Sequence, residues 1–111
     1  MITTVYQLIN NNKPVVNQIV IFETGRGVNR VTFQSYETPV CCIDSQHKTI
    51  TFKEWFPENK NKFWSKTTRK YLYEFLYQQG FGFWDIKTLR TAIADKSFER
   101  YHVTWKVKYV F

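Results

Sequence analysis

The chain has only two cysteines, and they are neighbours, Cys41 and Cys42. Adjacent side chains on an extended segment point to opposite faces, so this pair is badly placed to close on itself as a disulfide. No second cysteine pair or histidine cluster is present to complete a zinc site. The pair reads as one buried and one part-exposed thiol. Histidine is as scarce: His47 and His102 stand far apart without an accompanying ligand pattern. The nine carboxylates are scattered, and the local pairs are Glu54 with Glu58 and Asp95 with Glu99. No Asp-x-Asp, His-x-His or His-x-x-x-His pattern occurs. No catalytic residue, metal or cofactor is therefore assigned. Glycine is rare as well, and Gly25-Arg26-Gly27 reads as a hairpin turn, since neither GxxxxGK[ST] nor GxGxxG is present.

Long apolar runs are also missing. No window approaches the roughly 20 apolar residues of a membrane helix. The opening MITTVYQLINNNKPVVNQ lacks the basic start and long apolar core of a signal peptide. The expectation is a cytoplasmic protein with no membrane partner.

What the chain does have is aromatic mass and one-sided charge. Apolar residues make up 43% and aromatics 19% of its 111 residues, with 10 Phe, 7 Tyr and 4 Trp. That is too apolar for a disordered chain and fits a single domain, 1–111, with a modest core. Residues 1–59 carry five basic and five acidic side chains; residues 60–111 carry eleven basic and four acidic, and so supply the whole net charge of +7. Such asymmetry points to a polyanionic partner, a nucleic acid or an acidic protein.

The clearest periodicity runs through Trp64–Gln79, WSKTTRKYLYEFLYQQ. Thr68, Leu72, Phe75, Leu76 and Gln79 fall at helical offsets, with Leu72, Phe75 and Leu76 as the apolar stripe, which predicts a helix over 65–79. Ser65 is its N-cap, and Gly80 and Gly82 suit a left-handed stop. Lys66, Arg69 and Lys70 crowd the first turns, where they oppose the helix dipole by up to about 1 kcal/mol each. A Lys70–Glu74 pair recovers a few tenths, in the weaker orientation. Cations around free N–H groups make a seat for an anion.

Around this helix the pattern is mostly extended. Residues 3–11 form a short helix or an opening strand, and Asn10–Pro14 a turn. Val15–Phe22, Arg30–Phe33, Val40–Ile43 and Thr49–Phe52 read as strands, with Ser35–Pro39 interrupting or bulging the second of them and Asp44–Lys48 turning between the last two. Trp55, Phe56, Phe63 and Trp64 clamp the loop ahead of the helix onto the core. Asp85 caps a second helix over 85–94, with Ile86, Leu89 and Ile93 as its stripe. Two helices joined by a Gly-aromatic link also sketch a helix-turn-helix, but strands dominate both ends of the chain. Asp95–Glu99 reads as a turn. In the last strand, 101–110, Tyr101, Val103, Trp105, Val107 and Tyr109 take one face, while His102, Thr104, Lys106, Lys108 and Val110 take the other. Lys106 and Lys108 either extend a basic surface or guard an edge strand. The fold class is α+β: an antiparallel, meander-like sheet of about four to five strands packed on the 65–79 helix, with the shorter helix alongside. Lys62, Lys66, Arg69, Lys70, Arg90, Lys106 and Lys108 are the candidate residues for binding nucleic acid or another partner.

The segment SYETPVCCID, followed by a hairpin and WSKTTRKYLYEFL, resembles a pattern in small uncharacterised proteins of bacteriophages and mobile elements. The matching positions are Ser35, Tyr36 and Thr38, then Trp64, Thr67, Thr68, Lys70, Tyr71, Phe75 and Leu76. Other members often have Trp-Asp-Tyr-Ser before the threonines, whereas Ser65 here follows Trp64 directly. The resemblance covers about residues 26–77 and implies a phage-encoded protein acting in the host bacterial cytoplasm; it implies no activity. Four functions are compatible with this reading. The first is a non-enzymatic accessory protein binding DNA or RNA through the basic helix N-terminus and a basic sheet face. The others are an inhibitor or adaptor docking on an acidic host protein, a virion-associated structural protein, and a small metal-dependent nuclease.

Overall fold

The structure, a computed structural model, describes residues 1–53 and 64–110, the last two of these by their backbone alone. Among the described residues it is a mixed α+β arrangement of seven strands and two helices. Strand β1 (Ile2–Asn10) is followed by β2 (Lys13–Gly25), β3 (Val28–Ser35), β4 (Thr38–Asp44) and β5 (Thr49–Lys53). Helices α1 (Lys66–Gln78) and α2 (Ile86–Asp95) come next, then β6 (Ser97–Arg100) and β7 (Val103–Val110). The first five strands form an antiparallel meander. Each turn has a local cause. Asn11 and Asn12 both take positive φ, 52° and 63°, as a two-residue turn matched to strand twist requires. At the next tight corner Gly27 supplies φ 66°.

Alternation sorts the strands into a buried and an open face. Val20, Val31, Phe33, Cys41, Ile43, Ile50, Phe52, Trp105 and Val107 point to the buried side, where the helices lie. Leu72, Phe75 and Leu76 of α1 complete that core, and the Phe75 ring stacks on Phe33 at 5.5 Å. Burying these three side chains stabilises the helix by roughly 4–9 kcal/mol in all. The three cations in its first turns oppose the dipole by at most about 3 kcal/mol together. Packing therefore wins, and α1 forms with no acidic residue in its first turn.

Both helix ends are closed as expected. The Ser65 hydroxyl accepts from the Thr68 N–H at 3.1 Å, and the Asp85 carboxylate accepts from the Thr88 N–H at 2.8 Å. At the far end of α1, Gly80 takes φ 84°, its N–H donates to the Tyr77 carbonyl, and the Phe81 N–H donates to the Leu76 carbonyl. This is a Schellman stop, and Phe81 and Leu76 are both buried beneath it.

Several expectations are corrected. The sheet has seven strands rather than four or five, in the order β1-β2-β3-β4-β5-β7-β6. Of the two readings of residues 3–11, the opening strand is the one that forms, as Ile2–Asn10. Ser97–Arg100, expected to belong largely to a turn, is β6, paired antiparallel with β7. The last strand begins at Val103, because Tyr101 and His102 take left-handed φ of 49° and 64° in the turn before it. The sheet is also not wholly antiparallel: β7 lies parallel to β5, Ile50 beside Val107, after the chain has crossed the sheet through both helices. Consequently β7 lies between β5 and β6, with β6 paired along Val103–Lys106, so Lys106 guards no edge, while Lys108 lies past the end of β6. The interruption after Phe33 is a register shift between Phe33 and Gln34, followed by a two-residue turn in which Tyr36 takes φ 55°. No Lys70–Glu74 ion pair forms among the described residues; Glu74 accepts from Gln78, and the Lys70 ammonium lies 5.3 Å from the Tyr71 ring centre. Of the loop aromatics only Trp64 is described. It is buried, and its indole N–H donates to the Lys53 carbonyl at 2.9 Å, tying the start of α1 to the end of β5. Trp55, Phe56 and Phe63 lie outside the described residues.

Candidate nucleic-acid interface

With Leu72, Phe75 and Leu76 turned to the sheet, the opposite stripe of α1 faces outward. It consists of Lys66, Arg69, Lys70, Tyr73, Glu74 and Tyr77, again at offsets of three and four. This stripe forms one wall of a groove of about 650 Å³. The other wall is the link into α2: Phe83, Trp84 and Ile86. Gly82 adopts φ 80°, which lets the chain place Trp84 in the core and leave Phe83 in solvent. Trp84 is anchored by its indole N–H to the Phe81 carbonyl and by ring contacts with Phe52 and Phe98. Phe83 is 92% exposed and Tyr77 60% exposed.

The groove is therefore apolar in its walls and cationic along the α1 side. Tyr73 is a half-buried polar group of this lining. Burial pushes its phenol up, Arg69 and Arg90 pull it down, and Asp85 raises it again, so all three charges lie within electrostatic reach of one hydroxyl. That hydroxyl is buried with no hydrogen-bond partner among the described residues.

The seven basic candidates fall into four groups. Lys66, Arg69 and Lys70 line the groove; Arg90, exposed on α2, is not part of the lining, though its charge reaches the Tyr73 phenol. Lys106 and Lys108 do not belong to this surface. They alternate with buried Trp105 and Val107, so they project from the open face of the sheet beside Thr49 and Thr51, away from the helices. Lys62 lies outside the described residues. Sequence reasoning missed Tyr73, Tyr77 and Phe83. The two tyrosines carried a usable signal, since they continue the Lys66–Arg69–Lys70 stripe along the helix.

Positions shared with the phage-type pattern divide by burial. Ser35 is buried, and its hydroxyl lies 3.4 Å from that of Thr68, which in turn receives the Ser65 hydroxyl at 3.1 Å. Trp64, Phe75 and Leu76 are core, Tyr71 packs against the core, and Thr38 pairs with Ser35 at the hairpin end. These positions dock α1 on the sheet. Tyr36, Thr67 and Lys70 remain exposed. Gln18, opposite Ser35 on β2, is 2% exposed, and its side-chain carbonyl has no hydrogen-bond partner among the described residues.

Among the described residues, no group of three or more His, Cys, Asp or Glu side chains is placed to hold a metal, and no helix is long and apolar enough to cross a membrane. No curated protein and no solved structure matches the chain. A family match spans Thr3 to Trp84, from β1 through the α1 wall of the groove to Phe83 and Trp84 of the facing wall, and leaves α2, β6 and β7 outside it. The chain belongs to that family, described as a family of unknown function (DUF8033).

Proposed function

We propose that the protein binds nucleic acid, preferentially single-stranded DNA or RNA, in the groove between α1 and the Phe83–Ile86 link. The observation that carries this reading is the pairing of Lys66, Arg69 and Lys70 with an exposed aromatic, Phe83, across one apolar groove. Phosphates engage the lysine and arginine wall, near the positive end of the α1 dipole. An unstacked base lies against Phe83 or Tyr77, and stacking of this kind contributes about 1–3 kcal/mol per base. A duplex keeps its bases stacked and has no use for an exposed ring at this position. Lys106 and Lys108 take no part, which revises the expectation of one continuous basic surface. The phage-type resemblance supplies the setting we favour, a host bacterial cytoplasm.

The test is a titration with labelled single-stranded and duplex DNA and RNA at about 50 and 200 mM salt. Alongside the native chain run Phe83→Ala and the triple variant Lys66→Gln, Arg69→Gln, Lys70→Gln. Native binding should weaken steeply with salt, the triple variant should show a smaller salt slope, and Phe83→Ala should lose about 5- to 100-fold for single strands alone. Equal affinity for every polyanion, with no response to Phe83→Ala, would sink the reading and send the search to an acidic protein partner.

A further inference from the structure

The two edges of the sheet are built differently. Strand β6 is four residues long, carries Glu99 and Arg100, and runs directly into the left-handed turn at Tyr101 and His102. Short, charged edges of this kind resist pairing. Strand β1 has none of that protection over most of its length. Its nine residues, ITTVYQLIN, contain no charge and no proline. Only its end is blunted, by a register shift between Gln7 and Ile9 and by the Gln78 side-chain amide, which donates to the Ile9 carbonyl at 2.6 Å. Ile2–Gln7 is left as six regular strand positions, paired on one side with Thr24–Ile19 and facing no other strand among the described residues.

Exposed apolar side chains gather at the same place. Met1, Ile2, Val5, Tyr6, Ile9 and Val16 are all exposed on β1, β2 or the residue before them. They lie on both faces: Tyr6 stacks on Phe22 on the helix side, and Val5, one residue before it, projects from the open side. This edge is also electrically neutral in its side chains: β1 carries no charge, and β2 carries one base, Lys13, and one acid, Glu23.

We infer that the occupant of this edge is a second copy of the chain, its β1 antiparallel to the first about a two-fold axis normal to the sheet. A segment paired with itself antiparallel is self-complementary. Every position of Ile2–Gln7 meets an uncharged residue, so no like charges face each other, and the β-branched Ile2, Thr3, Thr4 and Val5 suit cross-strand contact. A charged peptide would find no partner on this strand. The axis doubles the seven-stranded sheet into one continuous sheet and keeps both helical layers on the same side. The positive charge of residues 60–111 belongs to elements other than the joining edge, so repulsion between copies is weak there.

The test is sedimentation velocity on the full chain from about 5 to 200 µM, with amide exchange at both extremes. The mass should rise toward twice the chain mass with concentration, and amides of residues 2–7 should gain protection only at the upper end. Val5→Lys changes a side chain that is 59% exposed, and it should weaken association by about tenfold or more with an unchanged urea midpoint. Val16→Lys, 70% exposed on β2 but off the pairing edge, should associate like the native chain. If Val5→Lys fails to fold, Thr3→Lys replaces it. A chain that stays monomeric at the upper concentration overturns the inference. So does a dimer indifferent to the edge lysine, or one whose residues 2–7 exchange as fast as in dilute solution.

Discussion

Asp85 shows how much rests on one side chain. It is fully exposed, yet it holds the entry to α2 by accepting from the Thr88 N–H, and its carboxyl is lowered chiefly by that backbone bond and then by the Thr88 hydroxyl. A lowered folded-state pKa means that the ionised form belongs to the capped helix. The contribution is fully present above the ordinary carboxylate pKa and is lost as the pH falls through the lowered value. Protection of the Thr88 amide, taken relative to its intrinsic exchange rate at each pH, should therefore fall under acid before that of the core strands. Asp85→Asn keeps a capping oxygen without a titrating proton and should remove that pH dependence. Asp85→Ala should leave that amide weakly protected at every pH. Persistence of the acid response in Asp85→Asn would assign it to another group. The capping role was legible in the sequence, because Asp followed by a helical stripe has one local solution. The role of Phe83 was not, because only the φ of 80° at Gly82 decides which of Phe81, Phe83 and Trp84 faces solvent.

At the scale of elements, α1 was legible because cap, stripe and stop are all local. Its stop gives a direct test. A Cβ on Gly80 would stand 2.9 Å from an Arg100 guanidinium nitrogen, and the residue sits at φ 84°. Arg100 can swing aside, so the backbone conformation dominates, and Gly80→Ala should destabilise the protein by about 1–2 kcal/mol in urea unfolding. A change below a few tenths would mean that the Schellman stop is not held in solution. Elements with non-local causes were hidden. The Asp95–Glu99 stretch has turn composition, yet Ser97–Arg100 becomes a strand because β7 supplies a ladder for it. The parallel pairing of β5 with β7 joins residues more than fifty positions apart, and no periodicity announces such a partner. Alternation in the last strand correctly separated Trp105 and Val107 from Lys106 and Lys108. It also set the tryptophan side toward the helices, where Trp105 and Val107 join the core.

That separation matters most for the whole molecule. A net charge of +7 invites a single basic surface, but the fold divides it. Lys66, Arg69 and Lys70 look outward from the helical layer, while Lys106 and Lys108 look outward from the open sheet face. The sheet and the helix layer between them exceed the Debye length of about 8 Å at physiological salt, since a helix packs about 10 Å from a sheet. Charges on the far face then steer an approaching polyanion only at low ionic strength. The double variant Lys106→Gln, Lys108→Gln should bind single strands as tightly as the native chain at about 150 mM salt, and lose at most a few-fold at about 20 mM. It removes two positive charges, one fewer than the groove triple, so a response governed by net charge alone would make the two variants differ little. A response governed by the groove makes them differ by orders of magnitude. Comparable losses in both, measured at the higher salt, would place the polyanion across both faces and refute the groove as the site.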